Sequence, residues 1–146
     1  MGIIRMMSER VFIHRVAVEW GDCDPAGIVF FPNYFRWFDQ ATWRVFDSVG
    51  LTREVLRARY GNEGHPLVKA GAEFQRSARP GDRLKIDSKI ERWGTKSFSL
   101  IHTVYNPDGQ IGAIGHETRV WTVRKPGTDN ELVGAAIPKE VMELLS

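Results

Sequence analysis

Cysteine is nearly absent from this 146-residue chain, because Cys23 is the only one. A lone cysteine cannot form an internal disulfide, so we expect the protein to work in a reducing compartment, the cytoplasm. No run of about 18 apolar residues occurs, so we expect no membrane-spanning helix. The short apolar start is not typical of a signal peptide, and Met6 stands where N-myristoylation requires Ser or Thr.

A strong excess of one charge is also lacking. Lys and Arg number 20 against 18 Asp and Glu, so the composition gives no sign of nucleic-acid binding. Glycine-rich phosphate-binding motifs and the Gly-x-Ser-x-Gly elbow of serine hydrolases do not occur. The four histidines are widely separated, so their spacing predicts no metal site.

Hydrophobic periodicity predicts an α+β protein. Alternation predicts a half-buried strand over 11–20, and apolar residues at helical spacing predict a long helix over 34–49 that is apolar on most faces. Thr52 is placed to cap a short second helix that ends at Gly61. Four further alternating segments follow, the last predicted over 110–124, before a short helix over 138–145.

Short turns join the four later strands, which favours antiparallel neighbours. We therefore predict one curved five-stranded antiparallel sheet around the long helix, in a single domain over 1–146. Five strands cover only part of such a helix. The open edge of the sheet favours pairing with a second copy of the chain.

The loop before the long helix carries the most chemical information. Asp22 and Asp24 lie in a segment rich in glycine and proline, and Pro25 restricts the backbone of Asp24. The first turn of the helix offers unpaired backbone N–H groups. A carboxylate beside such donors can drive acyl-group hydrolysis, because the donors stabilise an oxyanion. Asp-Pro and Asp-x-Asp also occur in ordinary turns and caps, so the residues alone leave both interpretations open.

Two further residues with reactive side chains are interpreted as structural. Cys23 lies between Asp22 and Asp24, whose negative charges disfavour the thiolate, so we interpret it as a small packing residue. His102 shares the apolar parity of its strand. We therefore interpret it as a core histidine.

The run Gly21-Asp-Cys-Asp-Pro-Ala-Gly-Ile-Val29, followed by Phe31-Pro-Asn-Tyr34, resembles the signature of the 4-hydroxybenzoyl-CoA thioesterases. These enzymes are members of the hot-dog-fold acyl-CoA thioesterase superfamily, and weaker similarity covers nearly the whole chain. The resemblance implies a hot-dog fold, in which a five-stranded antiparallel sheet wraps around a long central helix. It also implies hydrolysis of an acyl-CoA thioester, an aromatic acyl group being one option, with coenzyme A as part of the substrate and no other cofactor.

The resemblance also assigns roles in catalysis. Asp24 is the expected catalytic carboxylate, either as nucleophile or as general base on water. The backbone N–H of Phe31 is the expected oxyanion donor, since Pro32 has no N–H. Asp22 is expected to support the loop. Asp39 matches a position that is acidic in the family and is expected to contact the loop.

Binding residues are implied as well. Lys96 and Ser97 match residues near the nucleotide end of coenzyme A, although the sequence has Val133 where the family carries a basic residue. Leu67 and Val68 are candidate walls of the acyl pocket. A Phe stands where an aromatic-acyl thioesterase of this type has Tyr, so the identity of the acyl group stays open. The aromatic candidates for the pocket walls are Phe30, Phe31 and Phe35.

Alternatives to this enzyme remain open from the sequence. A non-catalytic module that binds acyl-CoA or an acyl carrier protein would have the same loop without turnover. Other branches of the superfamily place a catalytic Glu on the helix, but this helix has none, and Glu73 is interpreted as a structural contact. A dehydratase would need a loop His, and none occurs between 15 and 64. We expect an acyl-CoA as the small-molecule partner, no nucleic-acid or membrane partner, and a homodimer or homotetramer.

Overall fold

The computed structural model describes residues 10–146, so the expectations about a signal peptide and myristoylation lie outside the described residues. In residues 10–146 no helix is both long enough and apolar enough to cross a bilayer. The elements in chain order are β1 (Phe12–Ala17), α1 (Pro32–Ser48), α2 (Arg53–Tyr60), β2 (Asn62–Gly64), β3 (Leu67–Phe74), β4 (Arg83–Trp93), β5 (Ser97–Tyr105), β6 (Ile111–Val120), β7 (Thr122–Arg124), β8 (Leu132–Gly134) and α3 (Lys139–Leu145).

The main sheet has five strands in the order β1-β4-β5-β6-β3. Every neighbouring pair is antiparallel, which confirms the predicted five-stranded antiparallel sheet. Tight turns that contain glycine join β4 to β5 and β5 to β6. Gly94 N–H donates to the Ser97 carbonyl at 2.7 Å, and Gly109 adopts a positive φ of 80°. The two edges of the sheet are β1 and β3.

The long helix α1 packs on the inner face of this sheet. One residue in two along β4 and β5 is buried, and these side chains contact the buried stripe of the helix. At Gly115 of β6, an added Cβ would overlap the ring of Phe38. The sheet therefore approaches α1 closely at a position where only glycine fits. The buried residues of α1 are Tyr34, Trp37, Phe38, Ala41, Thr42, Val45 and Phe46.

The predicted second helix is confirmed with its caps. Thr52 Oγ1 accepts a hydrogen bond from the Val55 N–H at 3.3 Å. Gly61 ends the helix with a φ of 65°, a left-handed conformation that favours glycine. The predicted C-terminal helix is confirmed as α3.

The prediction of one strand over 110–124 is wrong. β6 ends at Val120, and β7 belongs to a second, three-stranded sheet in the order β2-β7-β8. Trp121 and Thr122 are both buried, so the alternation breaks where the chain passes from one sheet to the other. The first predicted strand is also too long. Trp20 starts a short 3-10 turn after β1, and its side chain is 83% exposed.

Edge strand β3 differs from the inner strands in its exposure. The predicted strand is present, but burial does not alternate along it, and the apolar side chains of Val68 and Phe74 are 61% and 48% exposed. No residue of β3 is fully buried within this chain. An exposed edge with large apolar side chains favours contact with another surface.

Candidate active site

The loop between β1 and α1 is closed by hydrogen bonds between its own arms. Asp24 N–H donates to the Ile28 carbonyl at 2.9 Å, and Phe30 N–H donates to the Asp22 carbonyl at 2.9 Å. The chain reverses at Gly27, which has a φ of 79°. These contacts hold the Asp24 backbone in one position before the helix begins.

Asp22 fastens this loop to α1. One carboxylate oxygen accepts the Glu19 N–H at 2.9 Å, and the other accepts from Arg36 at 2.7 Å. The Asp22 carbonyl also accepts from the Asn33 side-chain amide at 2.8 Å. Because both carboxylate oxygens are used, these contacts are those of a structural residue, as expected.

Asp24 has a different environment. Its Oδ1 accepts the Ala26 N–H at 2.9 Å, which fixes the orientation of the carboxylate. Within residues 10–146 no donor is bonded to Oδ2, and the residue is partly exposed. One carboxylate oxygen is therefore held while the other is available to a substrate or to water.

Cys23 is a poor candidate for a nucleophile. The residue is partly buried, and its Sγ lies 3.6 Å from the Glu19 carbonyl oxygen. Burial, and then the charges of Asp22 and Asp24, raise the pKa of the Cys23 thiol above its usual value. The thiol form is favoured, as the sequence predicted.

Phe31 immediately precedes the first residue of α1. The Phe30 N–H is used inside the loop, Pro32 has no N–H, and the Asn33 N–H donates to the Phe30 carbonyl. Among the described residues, none accepts a hydrogen bond from the Phe31 N–H. The helix start therefore presents a free donor at Phe31, where the helix dipole also favours negative charge.

An open groove of about 400 Å³ lies beside this donor. Phe31, Tyr34 and Phe74 line it with edge-to-face ring contacts, at centroid distances of 6.4 Å for Phe31–Phe74 and 5.3 Å for Tyr34–Phe74. Asp24 belongs to the adjoining loop and does not line the groove. Of the other predicted aromatic walls, Phe30 lies beside Phe31 at the surface, whereas Phe35 is partly buried and packs edge-to-face on Phe38.

The remaining predicted site residues lie at the opposite end of the sheet. Leu67 pairs with Arg119 on β6, while Phe74, at the other end of β3, pairs with Ala113. Ser97 likewise begins β5, and the nine residues of that strand make its ends about 26 Å apart. Within one chain the structure therefore does not bring Leu67, Val68, Lys96 and Ser97 to Asp24 and Phe31.

The hairpin at Lys96 and Ser97 has a fixed main chain. The Lys96 carbonyl accepts the Trp121 N–H at 2.8 Å, and the Lys96 side chain is exposed. Nearby positive charge is partly neutralised, because Arg124 pairs with Glu63 at 3.5 Å and Lys125 with Glu131 at 3.4 Å.

Within residues 10–146 no hydrogen bond or ion pair joins Asp39 to the loop, so the expected contact is wrong. Its Oδ1 accepts from the Arg119 guanidinium at 2.8 Å. Arg119 is buried and also binds Glu117 Oε2 at 2.7 Å. Sequence reasoning missed both residues, although their parity on β6 places two charges on the inward face. That break in an apolar stripe is the signal that could have found them.

Glu117 is the centre of this buried network. Burial alone would raise the pKa of its carboxyl, but hydrogen bonds from His102 and Arg119 outweigh burial and lower it to about 2. His102 binds Glu117 through Nε2 at 2.8 Å and Ser88 Oγ through Nδ1 at 2.6 Å. Its ring stacks on Phe38 at 5.1 Å, which confirms the prediction of a core histidine. The network therefore joins the underside of α1 to the sheet.

The family model of the thioesterase-like superfamily matches residues 18–145. The chain belongs to this superfamily. A 4-hydroxybenzoyl-CoA thioesterase from Pseudomonas sp. (strain CBS-3) is 38% identical over 136 residues, which cover 88% of this chain and 93% of that protein. A 1,4-dihydroxy-2-naphthoyl-CoA hydrolase from Thermosynechococcus vestitus is 32% identical over 69% of this chain and 68% of that protein.

Solved structures of thioesterases are similar over nearly their full length. An Asp-to-Asn variant of 4-hydroxybenzoyl-CoA thioesterase, complexed with 4-hydroxybenzoyl-CoA, has a TM-score of 0.85 and 34% identity, covering 94% of this chain and 99% of that chain. A gentisyl-coenzyme A thioesterase has a TM-score of 0.76 and 30% identity, covering 92% and 98%. For this member of the superfamily, the predicted hot-dog fold and the predicted thioester hydrolase are confirmed, and the hydrolase is favoured over the binding module.

Proposed function

We propose that the chain hydrolyses an aromatic acyl-CoA thioester to the free acid and coenzyme A. The free Phe31 N–H beside the loop of Asp24 carries this proposal, and the aromatic groove at the same helix start supports a flat acyl group. The similar proteins described above act on hydroxybenzoyl, dihydroxynaphthoyl and gentisyl thioesters, which supports the same class. The reaction consumes water and needs no cofactor beyond the coenzyme A of the substrate.

In the proposed reaction, the thioester carbonyl oxygen accepts a hydrogen bond from the Phe31 N–H. Asp24 Oδ2 then either attacks the carbonyl carbon, forming an acyl anhydride with Asp24 that water later hydrolyses to the free acid, or removes a proton from a water molecule that attacks the same carbon. The Phe31 N–H and the helix dipole stabilise the oxyanion that develops, and the C–S bond breaks to release the thiolate of coenzyme A. A related enzyme holding its substrate as an Asp-to-Asn variant supports a carboxylate in this role.

We further propose that a complete site forms between two copies of the chain. An isologous antiparallel pairing of β3 with its counterpart places the Leu67 end of one copy beside the Phe74 end of the other. Leu67 and Val68 of a second copy then extend the groove at Phe31. Lys96 and Ser97 of that copy lie near the same end and can meet the nucleotide end of coenzyme A. A homodimer is thus the smallest active unit, and a homotetramer would contain two such dimers. The proposed location of the enzyme is the cytoplasm.

A thiol-release assay on purified protein tests the proposed function. We expect turnover of benzoyl-CoA derivatives with kcat/KM well above that of acetyl-CoA and butyryl-CoA. Turnover confined to short aliphatic thioesters contradicts the aromatic assignment. Saturable binding of acyl-CoA without any thiol release identifies the non-catalytic module instead.

A further inference from the structure

A second groove, of about 470 Å³, lies on the face of the main sheet that points away from α1. Arg15 of β1, Arg83 and Lys85 of β4, and Tyr105 of β5 line it, together with the turn after β5. Its volume lies within the usual range for small-molecule sites. The groove is at the β1 edge, so neither the proposed active site nor a β3 contact covers it.

Three positive charges converge in this groove. Arg15 lies directly opposite Lys85 in the antiparallel register, and Arg83 lies two residues before Lys85 on the same face. Like charges that are directly opposite destabilise a sheet. Among residues 10–146, Arg15 and Arg83 form no ion pair, and no carboxylate lines the groove. A bound anion would offset this repulsion.

The Lys85 ammonium is already oriented for such a ligand. It lies 4.8 Å from the centroid of the Tyr105 ring, over the ring face, and 3.5 Å from Asp87 Oδ1. A cation that is held over an aromatic ring loses less freedom on binding an anion. The two guanidinium groups offer paired N–H donors, which match phosphate oxygens.

We propose that this groove binds a phosphate ester or diphosphate with at least two negative charges. The proposal goes beyond the hydrolase function and does not depend on it. The ligand has two sources with the same chemistry, the nucleotide end of coenzyme A and a free phosphorylated metabolite. The hairpin at Lys96 and Ser97 is a separate place, because it lies about 26 Å away along β5.

Calorimetric titration with pyrophosphate tests the site in the full chain. We expect saturable binding that Arg15→Gln and Arg83→Gln each weaken by about tenfold. Lys89→Gln is the matched control, because Lys89 lies on the same face of β4 outside the groove. Its affinity should stay within about twofold of the unsubstituted protein. Absence of saturable binding, or an equal loss of pyrophosphate affinity in Lys89→Gln, overturns the proposal.

A second arm identifies the source of the phosphate. This arm measures whether 3′-phosphoadenosine 5′-phosphate competes with pyrophosphate, and whether Arg83→Gln raises KM for acyl-CoA at unchanged kcat. If both occur, the groove binds the nucleotide end of the substrate. Where KM stays unchanged, it takes a free phosphorylated metabolite. Either result supports the groove. The titration involves no turnover, so a failed hydrolase assay leaves its outcome intact.

Discussion

At the scale of the residue, the order of Phe31 and Pro32 determines which amide at the helix start stays free. Proline suits the first position of a helix because it has no N–H to leave unpaired. The amide before it then becomes the nearest free donor, and because this donor is a main-chain group, it does not depend on the identity of the side chain at Phe31.

Replacing Phe31 by Pro tests the amide directly. The φ of −54° at Phe31 lies within the range that proline adopts, so the substitution removes the N–H with little strain. We expect kcat to fall by about 100- to 1,000-fold in Phe31→Pro, as for the loss of one oxyanion donor. Phe31→Ala keeps the amide and is the control. Equal kcat values for the two variants would remove the amide from the mechanism.

His65 is a second residue whose surroundings predict a measurable effect. Its ring is sandwiched between Trp43 and Trp121, at 5.3 and 5.2 Å, and within residues 10–146 neither ring nitrogen has a hydrogen-bond partner. Burial, and then the charge of Arg119, lower the pKa of His65 to about 3. The unfolded chain takes up this proton near pH 6.5, whereas the folded chain does not. Acidification from pH 6.5 towards 3 therefore favours unfolding.

The His65→Phe variant should lose this part of the pH dependence. Between pH 6.5 and 5, His65 contributes up to about 1.4 kcal/mol per pH unit to the fall in unfolding free energy. Urea denaturation at several pH values should show a shallower fall in His65→Phe. His116→Gln, at an exposed histidine, is the control and should keep the original slope. The same slope in His65→Phe as in the unsubstituted protein refutes the assignment.

At the scale of the element, α1 depends on a close approach to β6. The ring of Phe38 occupies the space that a Cβ at Gly115 would need, and Phe38 is almost fully buried. Arg119 and Glu117 of the same strand bind the helix at neighbouring turns. Contacts along β6 therefore help to fix the position of α1, at whose start the Phe31 amide lies.

Gly115→Ala tests this contact. We expect the variant to lose about 1–3 kcal/mol of unfolding free energy, because the helix must shift to admit the methyl group. Gly71→Ala on β3 is the matched control, since an added Cβ there meets nothing within 4 Å. Thermal denaturation of both variants measures the difference. Equal unfolding free energies for the two variants would show that the contact between Gly115 and Phe38 does not limit the side chain at position 115.

Sequence reasoning succeeded where one face of an element packs and the other is solvated. Buried and exposed residues alternate clearly along β4 and β5 for this reason. The start and end of α2 could be predicted from Thr52 and Gly61. β2, β7 and β8 have three residues each, too few to show a period. Asp24 and Phe31 are neighbours along one loop, so their proximity could be predicted. The pairing of Asp39 with Arg119 joins positions 80 residues apart, and no local pattern indicates it.

At the scale of the whole molecule, the edge strand β3 connects fold and function. Its two ends lie near the two groups of predicted site residues, and its apolar side chains at Val68 and Phe74 are exposed. That residues 1–146 form one domain stays a prediction, since the structure describes 10–146. The assembly proposed here makes the two groups parts of one site contributed by two copies.

Val68→Lys tests that assembly. A charge at this exposed position of β3 should prevent two edges from pairing, so the variant should sediment as a monomer and lose turnover while staying folded. Ile13→Lys is the matched control, because Ile13 is 56% exposed on the opposite edge strand, β1. It should keep both mass and activity. A monomeric Val68→Lys protein with full turnover would refute a shared site.

The kcat of Asp24→Asn with an aromatic acyl-CoA measures whether the Asp24 carboxylate drives thioester cleavage, as proposed above. Because the amide cannot replace a nucleophile or a general base, we expect kcat to fall by about 100- to 10,000-fold while the affinity for the thioester is kept. Asp47→Asn, at an exposed carboxylate near the end of α1, is the control and should keep full activity. An Asp24→Asn protein that turns over at the rate of this control would show that the Asp24 carboxylate is not the catalytic group.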